Sequence, residues 1–391
     1  MKDRLGIGII GIGSIFRRHA TAYQCLTELA ERVAVADLDL GRAQSAKKRY
    51  GFKYAFDNYQ ELLALPEIDA VNICTPPDIH AQVAIDAIEA GKHVLCEKPI
   101  AHTLSDVDRI IKTSKDHPQV IVSCVYQNRT DPTCARTRYL ISKGHVGNML
   151  TANVQVLFRR PRSYYAAVPT RGTWKTDGGG VLVNQAVHQL DLLVYFLGCP
   201  VQVSAVMNTF LQPIEAEDTL AGWIKFENGA FATITCTVCA QKDEGYQIVV
   251  LGENASFNIS KDPDAQYALW EITSNSKAAL NGLRTTALRM YPPYPSVSNA
   301  TLIRQKVMCK LRGKTWLPPR HWGHTPHIKE FLEAVNRGGP APIPPEQARL
   351  SLDLAVGLYQ SALTNQTVSL PLNSDSPFYA GVDPAVLQVS V

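Results

Sequence analysis

The chain has 391 residues, more than one hydrophobic core ordinarily serves, with 46% hydrophobic residues, 19% charged residues and a formal charge of +4. That length asks for two domains and that composition excludes a disordered chain, while so small a net charge decides nothing about a nucleic-acid partner until the charges are located. Nine cysteines at irregular spacing, an odd number, describe no disulfide framework and point to a reducing compartment.

The start, "MKDRLGIGIIGIGSIF", has the basic residues and short apolar stretch of a signal peptide. Arg17, Arg18 and His19 follow at once, however, with no small-residue cleavage site. No apolar run reaches the length of a membrane span, so a soluble cytoplasmic protein is expected. From residue 5 to about 125, "LGIGIIGIG", "RVAVAD", "AVNICTPP", "GKHVLCEKP" and "QVIVSCVY" read as five strands. Amphipathic stretches such as "HAQVAIDAIEAG" lie between them. Strands apolar throughout and alternating with helices mean a doubly wound parallel sheet.

The first strand runs into Gly11-Ile12-Gly13-Ser14-Ile15-Phe16 and then a helix. The first glycine permits a tight turn, and the second lets backbone N–H groups, with those of Ser14 and Ile15, approach a pyrophosphate at the helix N-terminus. Phe16 stands where such turns usually carry glycine or alanine, which implies a looser helix–strand contact. Asp37 ends the second strand, where a carboxylate accepts hydrogen bonds from the adenosine ribose and repels a 2′-phosphate, so NAD is expected over NADP. Arg42 is the residue that could undercut this by swinging in. Thr75, Pro76 and His80 follow the third strand at the ligand-binding edge of such a sheet, and Glu97, Lys98 and Pro99 end the fourth. Lys98 is either a snorkelling surface lysine or a group that polarises a substrate hydroxyl or holds the nicotinamide ribose. Gln127, just past the fifth strand, is placed beside the cofactor with these.

After Tyr126 longer, alternating strands follow: "MLTANVQVLF", "VQVSAVMNTFL", "LAGWIKFENGAFATITCTVCA", "YQIVVLGENASFNIS" and "ALWEITS". "FENGA" signals a hairpin, so an α+β domain with a mostly antiparallel sheet and few helices is expected. Cys236 and Cys239 form a C-x-x-C within a β-branched run, where i and i+3 face opposite ways and suit neither a metal nor a redox pair. In "DGGGVLVNQAVHQLD", Asn184, His188 and Asp191 share one helical stripe at i, i+4, i+7, as either a satisfied core cluster or a site. "RGTWK" precedes it, and Arg171 and Trp174 suit a hydroxyl-rich ring at the mouth of a cleft, though a structural Trp and a surface Arg read equally well. Residues 274–321 carry nine cations and no acid between Glu271 and Glu330. They lack the interleaved aromatics of a single-strand binder, so an oligomerisation arm or a clamp on an anionic substrate is expected. "HWGHTPH" spaces His321, His324 and His327 three apart, but nothing nearby in sequence supplies a carboxylate. Metal is therefore set aside, and His324 or His327 is read as a substrate hydrogen-bonding group. Two closing helices end the chain.

The G-x-G turn with His19, the strand-end Asp37, "TPPDIH", "GKHVLCEKP", "GGGVLVNQAVHQLD" and "GHTPHIKEFLEAV" occur in an order and spacing that resembles the glucose–fructose oxidoreductase / inositol dehydrogenase (Gfo/Idh/MocA) family over nearly the full chain. The resemblance implies an α/β protein: a Rossmann domain over residues 1–126, then a substrate-binding and oligomerisation domain over 127–391 with a large open sheet. It implies NAD(P)-dependent oxidation of a secondary alcohol on a sugar or cyclitol in the cleft between them, with no nucleic acid or membrane partner. Two alternatives are a redox-neutral sugar-processing enzyme that holds NAD, and a sugar-nucleotide 3-dehydrogenase. By position, Lys98 and His188 become the catalytic pair and Asn184 their neighbour, where many members carry aspartate. Gly11, Gly13, Asp37, Thr75, Pro76, His80 and Glu97 surround the cofactor. A homo-oligomer, dimer or tetramer, through the open sheet completes the expectation.

Overall fold

The computed structural model describes residues 4–168, 170–262, 268–274, 276–290 and 323–385. The first half alternates as β1 (Leu5–Ile10), α1 (Phe16–Cys25), β2 (Ala30–Ala36), α2 (Leu40–Tyr50), β3 (Tyr54–Phe56), α3 (Tyr59–Leu63), β4 (Ala70–Ile73), α4 (His80–Glu89), β5 (His93–Cys96), α5 (Leu104–Asp116) and β6 (Val122–Cys124). The strands form one parallel sheet in the order β3-β2-β1-β4-β5-β6. Its direction of winding reverses between β1 and β4, which opens a crevice at the carboxyl ends of those strands. Six strands stand where five were expected. The missed one, β3, has three residues at the sheet edge, too few to show a period. Phe16 also departs from expectation. It is buried edge-on to Tyr50 and beside Phe52, so the bulky third position fills the space between α1 and the end of α2 instead of loosening the helix.

The second half runs α6 (Pro132–Ser142), β7 (Met149–Leu157), α7 (Arg162–Ala166), α8 (Trp174–Asp177), a π-helical turn over Leu182–Ala186 continuing into α9 (Val187–Leu197), β8 (Pro200–Asn208), β9 (Thr219–Phe226), β10 (Phe231–Thr237), β11 (Gly245–Gly252), β12 (Ser256–Lys261), β13 (Leu269–Thr273), α10 (Lys277–Met290), α11 (His324–Arg337), α12 (Pro345–Thr364) and β14 (Val368–Ser369). Eight strands pair in the order β13-β12-β11-β7-β10-β9-β8-β14. Neighbours are antiparallel except β7 with β10. The Asn228-Gly229 turn joins β9 to β10 as the sequence indicated, with Gly229 at φ +84°. Along β10, buried Ala232, Ile234 and Cys236 alternate with exposed residues, as one covered face requires. Helices α9 and α12 lie against this sheet and each other. Leu150, Val206, Trp223, Phe231 and Leu269 are exposed.

Three further regions bear on the expectations. The basic stretch begins as a helix, α10, packed on α6, with Lys277 and Arg284 exposed. Arg304, Lys306, Lys310, Arg312, Lys314, Arg320 and His321 lie outside the described residues. A helix late in the chain also covers the parallel sheet. Ile328, Phe331 and Leu332 of α11 join Ile7, Phe16 and Tyr23 in the core on one side of the parallel sheet. Lastly, Cys236 is buried inside β10 and Cys239 lies beyond its end, both free. No helix among the described residues is long and apolar enough to cross a membrane.

The halves meet just past β6. Arg129 is buried there, and its Nε and Nη2 donate to the two carboxylate oxygens of Asp191 on α9, at 2.8 and 2.6 Å. Its Nη1 donates to Gln347 of α12 at 2.9 Å, and its guanidinium lies 4.8 Å over the Tyr195 ring. Burial disfavours the guanidinium charge and Asp191 more than offsets this, holding Arg129 firmly protonated. Removing one partner of such a pair leaves an uncompensated buried charge. Asp191→Ala should therefore lose about 3–5 kcal/mol in urea unfolding, and a loss under about 1 kcal/mol would show that the pair does not hold the halves together.

Candidate active site

Every side chain that the sequence reading assigned to the cofactor lies near the carboxyl edge of the parallel sheet. Gly11 has φ +92°, and a Cβ there would fall 2.7 Å from the Cys74 carbonyl, so only glycine lets β1 turn beside the end of β4. Gly13 has nothing closer than 4.0 Å to such a Cβ, so its bareness leaves open space above the turn. The Asp37 carboxylate accepts from the backbone N–H of Ile12 at 2.7 Å and of Asp39 at 3.0 Å, which pins it between the glycine turn and α2. Arg42 is exposed, 3.6 Å from both Asp37 and Asp39. Open space over a helix N-terminus beside a fixed carboxylate fits a dinucleotide.

His80 does something else. It is 1% exposed, and both ring nitrogens lie 2.8 Å from carbonyl oxygens, those of Thr75 and Pro99. It clips the two strand-end loops together and so shapes the cofactor's surroundings without facing the cleft.

A buried chain of polar groups runs beneath the turn. The Tyr23 hydroxyl donates to Asn72 Oδ1 at 2.7 Å, and Asn72 Nδ2 donates to His19 Nδ1 at 2.7 Å. That assignment leaves the His19 proton on Nε2, 2.7 Å from Glu97 Oε1. His324 Nε2 lies 3.3 Å from the same oxygen. Burial alone raises the Glu97 carboxyl, but the hydrogen bond with His19 and the nearby His324 ring more than offset it and hold Glu97 well below the usual range. His19, Glu97 and His324 bring three potential metal ligands within 4.8 Å of one another. The carboxylate missing beside His324 in sequence thus arrives from β5. In this geometry the His19 lone pair that an ion needs is replaced by an N–H aimed at Glu97, so His19 serves as a hydrogen-bonded relay between Asn72 and Glu97. His324 faces Glu97 and His19, and buried His327 faces the Cys124 carbonyl at 3.0 Å. The substrate role expected of one of them does not match these positions.

Beyond Glu97, Lys98 and His188 converge from the two domains. Burial lowers the Lys98 ammonium, while Glu97 and Asp177 partly restore it. Burial and then the Lys98 charge push His188 down to about 3, so the near-neutral imidazole expected from sequence is instead held uncharged. His188 Nε2 lies 3.4 Å from the Gln127 amide nitrogen. His188 Nδ1, Gln127 Oε1 and Thr75 Oγ1 are buried with no partner among the described residues. Three orphaned polar atoms at one edge are what a ribose and carboxamide would satisfy, so these residues fit a bound nicotinamide nucleotide.

The expected stripe is broken. The π turn over Leu182–Ala186 precedes the regular helix, and the three polar residues take three different partners. Asp191 goes to Arg129, His188 to Gln127, and Asn184 Nδ2 to Asp177 Oδ2 at 3.1 Å and the Gly179 carbonyl at 3.2 Å. Arg171 and Trp174 do not present a sugar-binding surface. The Arg171 guanidinium lies 4.1 Å over the Tyr164 ring and donates to the Tyr164 carbonyl, and Trp174 is buried edge-on to Tyr359. The sequence reading missed Asn72, Arg129 and Asp177 as site or framework residues. Only Asp177, next to the three glycines, carried a local signal.

Residues 5–125 match the GFO/IDH/MocA oxidoreductase family, NAD-binding Rossmann fold, and residues 134–258 match the GFO/IDH/MocA C-terminal domain. The chain is 26% identical to levoglucosan dehydrogenase of Pseudarthrobacter phenanthrenivorans over 75% of its length and 82% of the relative's. It is 28% identical to D-glucoside 3-dehydrogenase of Escherichia coli over 58% of its length and 68% of the relative's. Among solved structures, the WlbA dehydrogenase of Bordetella pertussis in complex with NADH and UDP-GlcNAcA aligns with a TM-score of 0.77 at 26% identity, covering 95% of this chain and all of that one.

The buried histidines give the site a pH signature. Burial sends His327 down to about 4 and His188 to about 3. The unfolded chain titrates its histidines near 6.5 and so binds more protons than the folded one below that. Their contribution to stability is complete above about pH 6.5 and is lost as pH falls toward 4. Glu217, raised to about 7, and Asp353, raised to about 6, act in the opposite direction, so a difference isolates the histidines. His327→Gln, which keeps a donor for the Cys124 carbonyl, should shrink the fall in the urea midpoint between about pH 7 and about pH 5. Parallel profiles for the variant and the parent would mean that His327 takes up its proton while folded.

Proposed function

Because the chain belongs to the Gfo/Idh/MocA family of NAD-binding oxidoreductases, we propose that it oxidises a ring secondary alcohol of a sugar or cyclitol. The observation that carries the reading is the meeting of Lys98, from the parallel sheet, with His188, from the second domain, where the Lys98 charge acts on the imidazole. Bound NAD+ supplies the hydride acceptor. Lys98, half-buried just past β5, would stabilise the alkoxide that develops as the hydride leaves. His188, kept uncharged by burial and by Lys98, would take the hydroxyl proton at Nε2, exchanging its 3.4 Å contact with the Gln127 amide for it. Thr75 and Gln127 offer their unpartnered oxygens to the nucleotide. The pinned Asp37 carboxylate favours NAD over NADP, since a 2′-phosphate would meet fixed negative charge.

The similarity to dehydrogenases named for levoglucosan, a D-glucoside and myo-inositol supports a free ring polyol. A second reading, a sugar nucleotide, is supported by the alignment with the WlbA complex holding UDP-GlcNAcA. A panel of glycosides, anhydrosugars, inositols and UDP-sugars, followed by NADH absorbance, separates the two. A redox-neutral enzyme would convert substrate without releasing NADH. Lys98→Ala and His188→Ala should each lower kcat about 10²-fold or more while NADH still binds. Asp37→Ser should narrow the preference for NAD+. A His188→Ala enzyme within a few-fold of the parent, or a parent that uses NADP+ as well as NAD+, overturns the corresponding assignment.

We also propose that the exposed face of the eight-stranded sheet packs on a second copy of the chain. Trp223 and Phe231 sit diagonally on paired strands, both exposed, with Val206 and Leu269 also uncovered. Large apolar side chains grouped on one sheet face are uncommon on a monomer. Sedimentation should give a multiple of 43.0 kDa, and Phe231→Glu should lower it; a parent protein at 43.0 kDa would refute the interface.

A further inference from the structure

Asp177 has no part in the reading above, yet it lies against both of the site's motifs. It ends α8, and Gly178 follows at φ +77°, close enough that a Cβ there would touch the His102 ring at 3.2 Å. Asp177, Pro99, His102 and Val183 line one small cavity, so Asp177 lies beside the residues that follow Lys98. Its charge acts on Lys98 and on His102. Its hydrogen bonds are lopsided. The Gly172 N–H at 2.9 Å and Asn184 Nδ2 at 3.1 Å both go to Oδ2, and Oδ1 accepts no hydrogen bond among the described residues. A half-buried carboxylate anchored through one oxygen leaves the other as an oriented acceptor.

Resting on the sugar or cyclitol reading, we propose that Asp177 accepts the hydroxyl next to the one oxidised, and so makes the enzyme selective for vicinal diols with that neighbouring hydroxyl free. A carboxylate is acceptor-only, so it demands an O–H donor and gains nothing from an ether, an ester or a deoxy carbon. Asn184 then holds Asp177: its Nδ2 protons are spent on Asp177 and on the Gly179 carbonyl, which fixes the carboxylate against the glycine turn. Ring hydroxyls on adjacent carbons lie within hydrogen-bond reach of two adjacent protein groups. With Lys98 at the reacting oxygen and Asp177 at its neighbour, the ring is held at two points, which fixes which carbon faces the hydride acceptor.

Asp177→Asn tests this, since it preserves shape and removes charge and acceptor strength. The assay uses a ring substrate turned over by the parent enzyme together with its deoxy counterpart at the neighbouring carbon. The parent should discriminate between the two by about 10- to 100-fold in kcat/KM. Asp177→Asn should raise KM for the full substrate about tenfold or more, with a smaller change in kcat, and should no longer discriminate against the deoxy sugar. NADH affinity, read by fluorescence, should stay the same. Equal losses on both sugars, or none, overturn the assignment. If the parent oxidises no ring polyol, the functional reading fails by itself. The placement of Asp177 is then judged by NMR titration of ¹³C-dimethylated Lys98, assigned with Lys98→Arg. Asp177→Asn should lower the Lys98 titration midpoint, and an unmoved midpoint overturns the placement.

Discussion

The forked ion pair between Arg129 and Asp191 is the joint on which the rest of the site depends. Arg129 sits two residues past Gln127, and Asp191 sits on the helix that carries His188, so locking the pair fixes the cofactor side against the substrate side. Ser351 and Gln347 of α12 close the same network, at 3.1 and 2.9 Å. A bidentate guanidinium–carboxylate contact restricts both distance and rotation, which a hydrophobic contact of similar area would not. Buried charge pairs add little net stability but are costly to break singly, so the contact acts more as a register than as a source of stability.

A second constraint shapes the glycine run before the π turn. A Cβ on Gly179 would fall 2.2 Å from the Tyr359 hydroxyl, and one on Gly180 would fall 1.7 Å from the Glu217 carbonyl oxygen. The chain passes there between α12 and the start of β9 with no room for a side chain. Buried Glu217 receives the N–H groups of Gly180 and Leu182, each at 2.9 Å, and the Tyr359 hydroxyl, also at 2.9 Å. It thereby satisfies donors at the start of the helical segment that no earlier turn can reach. The glycines and Glu217 together set Asp177 and Asn184 side by side, and the π turn then redirects His188 toward Gln127.

What could be read in the sequence was what depends on neighbours in the chain. The glycine turn, Asp37, the hairpin at Asn228-Gly229 and the strands other than the short β3 and β14 are local patterns, and the structure has them. The period-3.6 stripe through Asn184, His188 and Asp191 was legible as a spacing but not as a set of contacts. One extra residue in a π turn rotates it, and no composition signal marks such a turn. His324 and Glu97, far apart in sequence, share a buried oxygen only because α11 returns to cover the parallel sheet. Trp174 and Arg171 have the residue types of a sugar platform, and tertiary packing against Tyr359 and Tyr164 uses them otherwise. A residue type in a loop states what it can contact; the fold decides what it does contact.

The electrostatics of the site follow from burial more than from any single partner. Desolvation is the first cause of displacement at Lys98, His188, His324 and His80 alike, and in each it disfavours the cation. One cation has to persist if an alkoxide is to be stabilised, and at Lys98 the carboxylates of Glu97 and Asp177 support the charge. The Lys98 charge then works against a proton on His188, so one residue is left positive and its neighbour uncharged. Two groups with similar burial thereby take opposite roles. The asymmetry comes from where the carboxylates lie, one fixed from below by His19 and the other from across the cleft by Asn184.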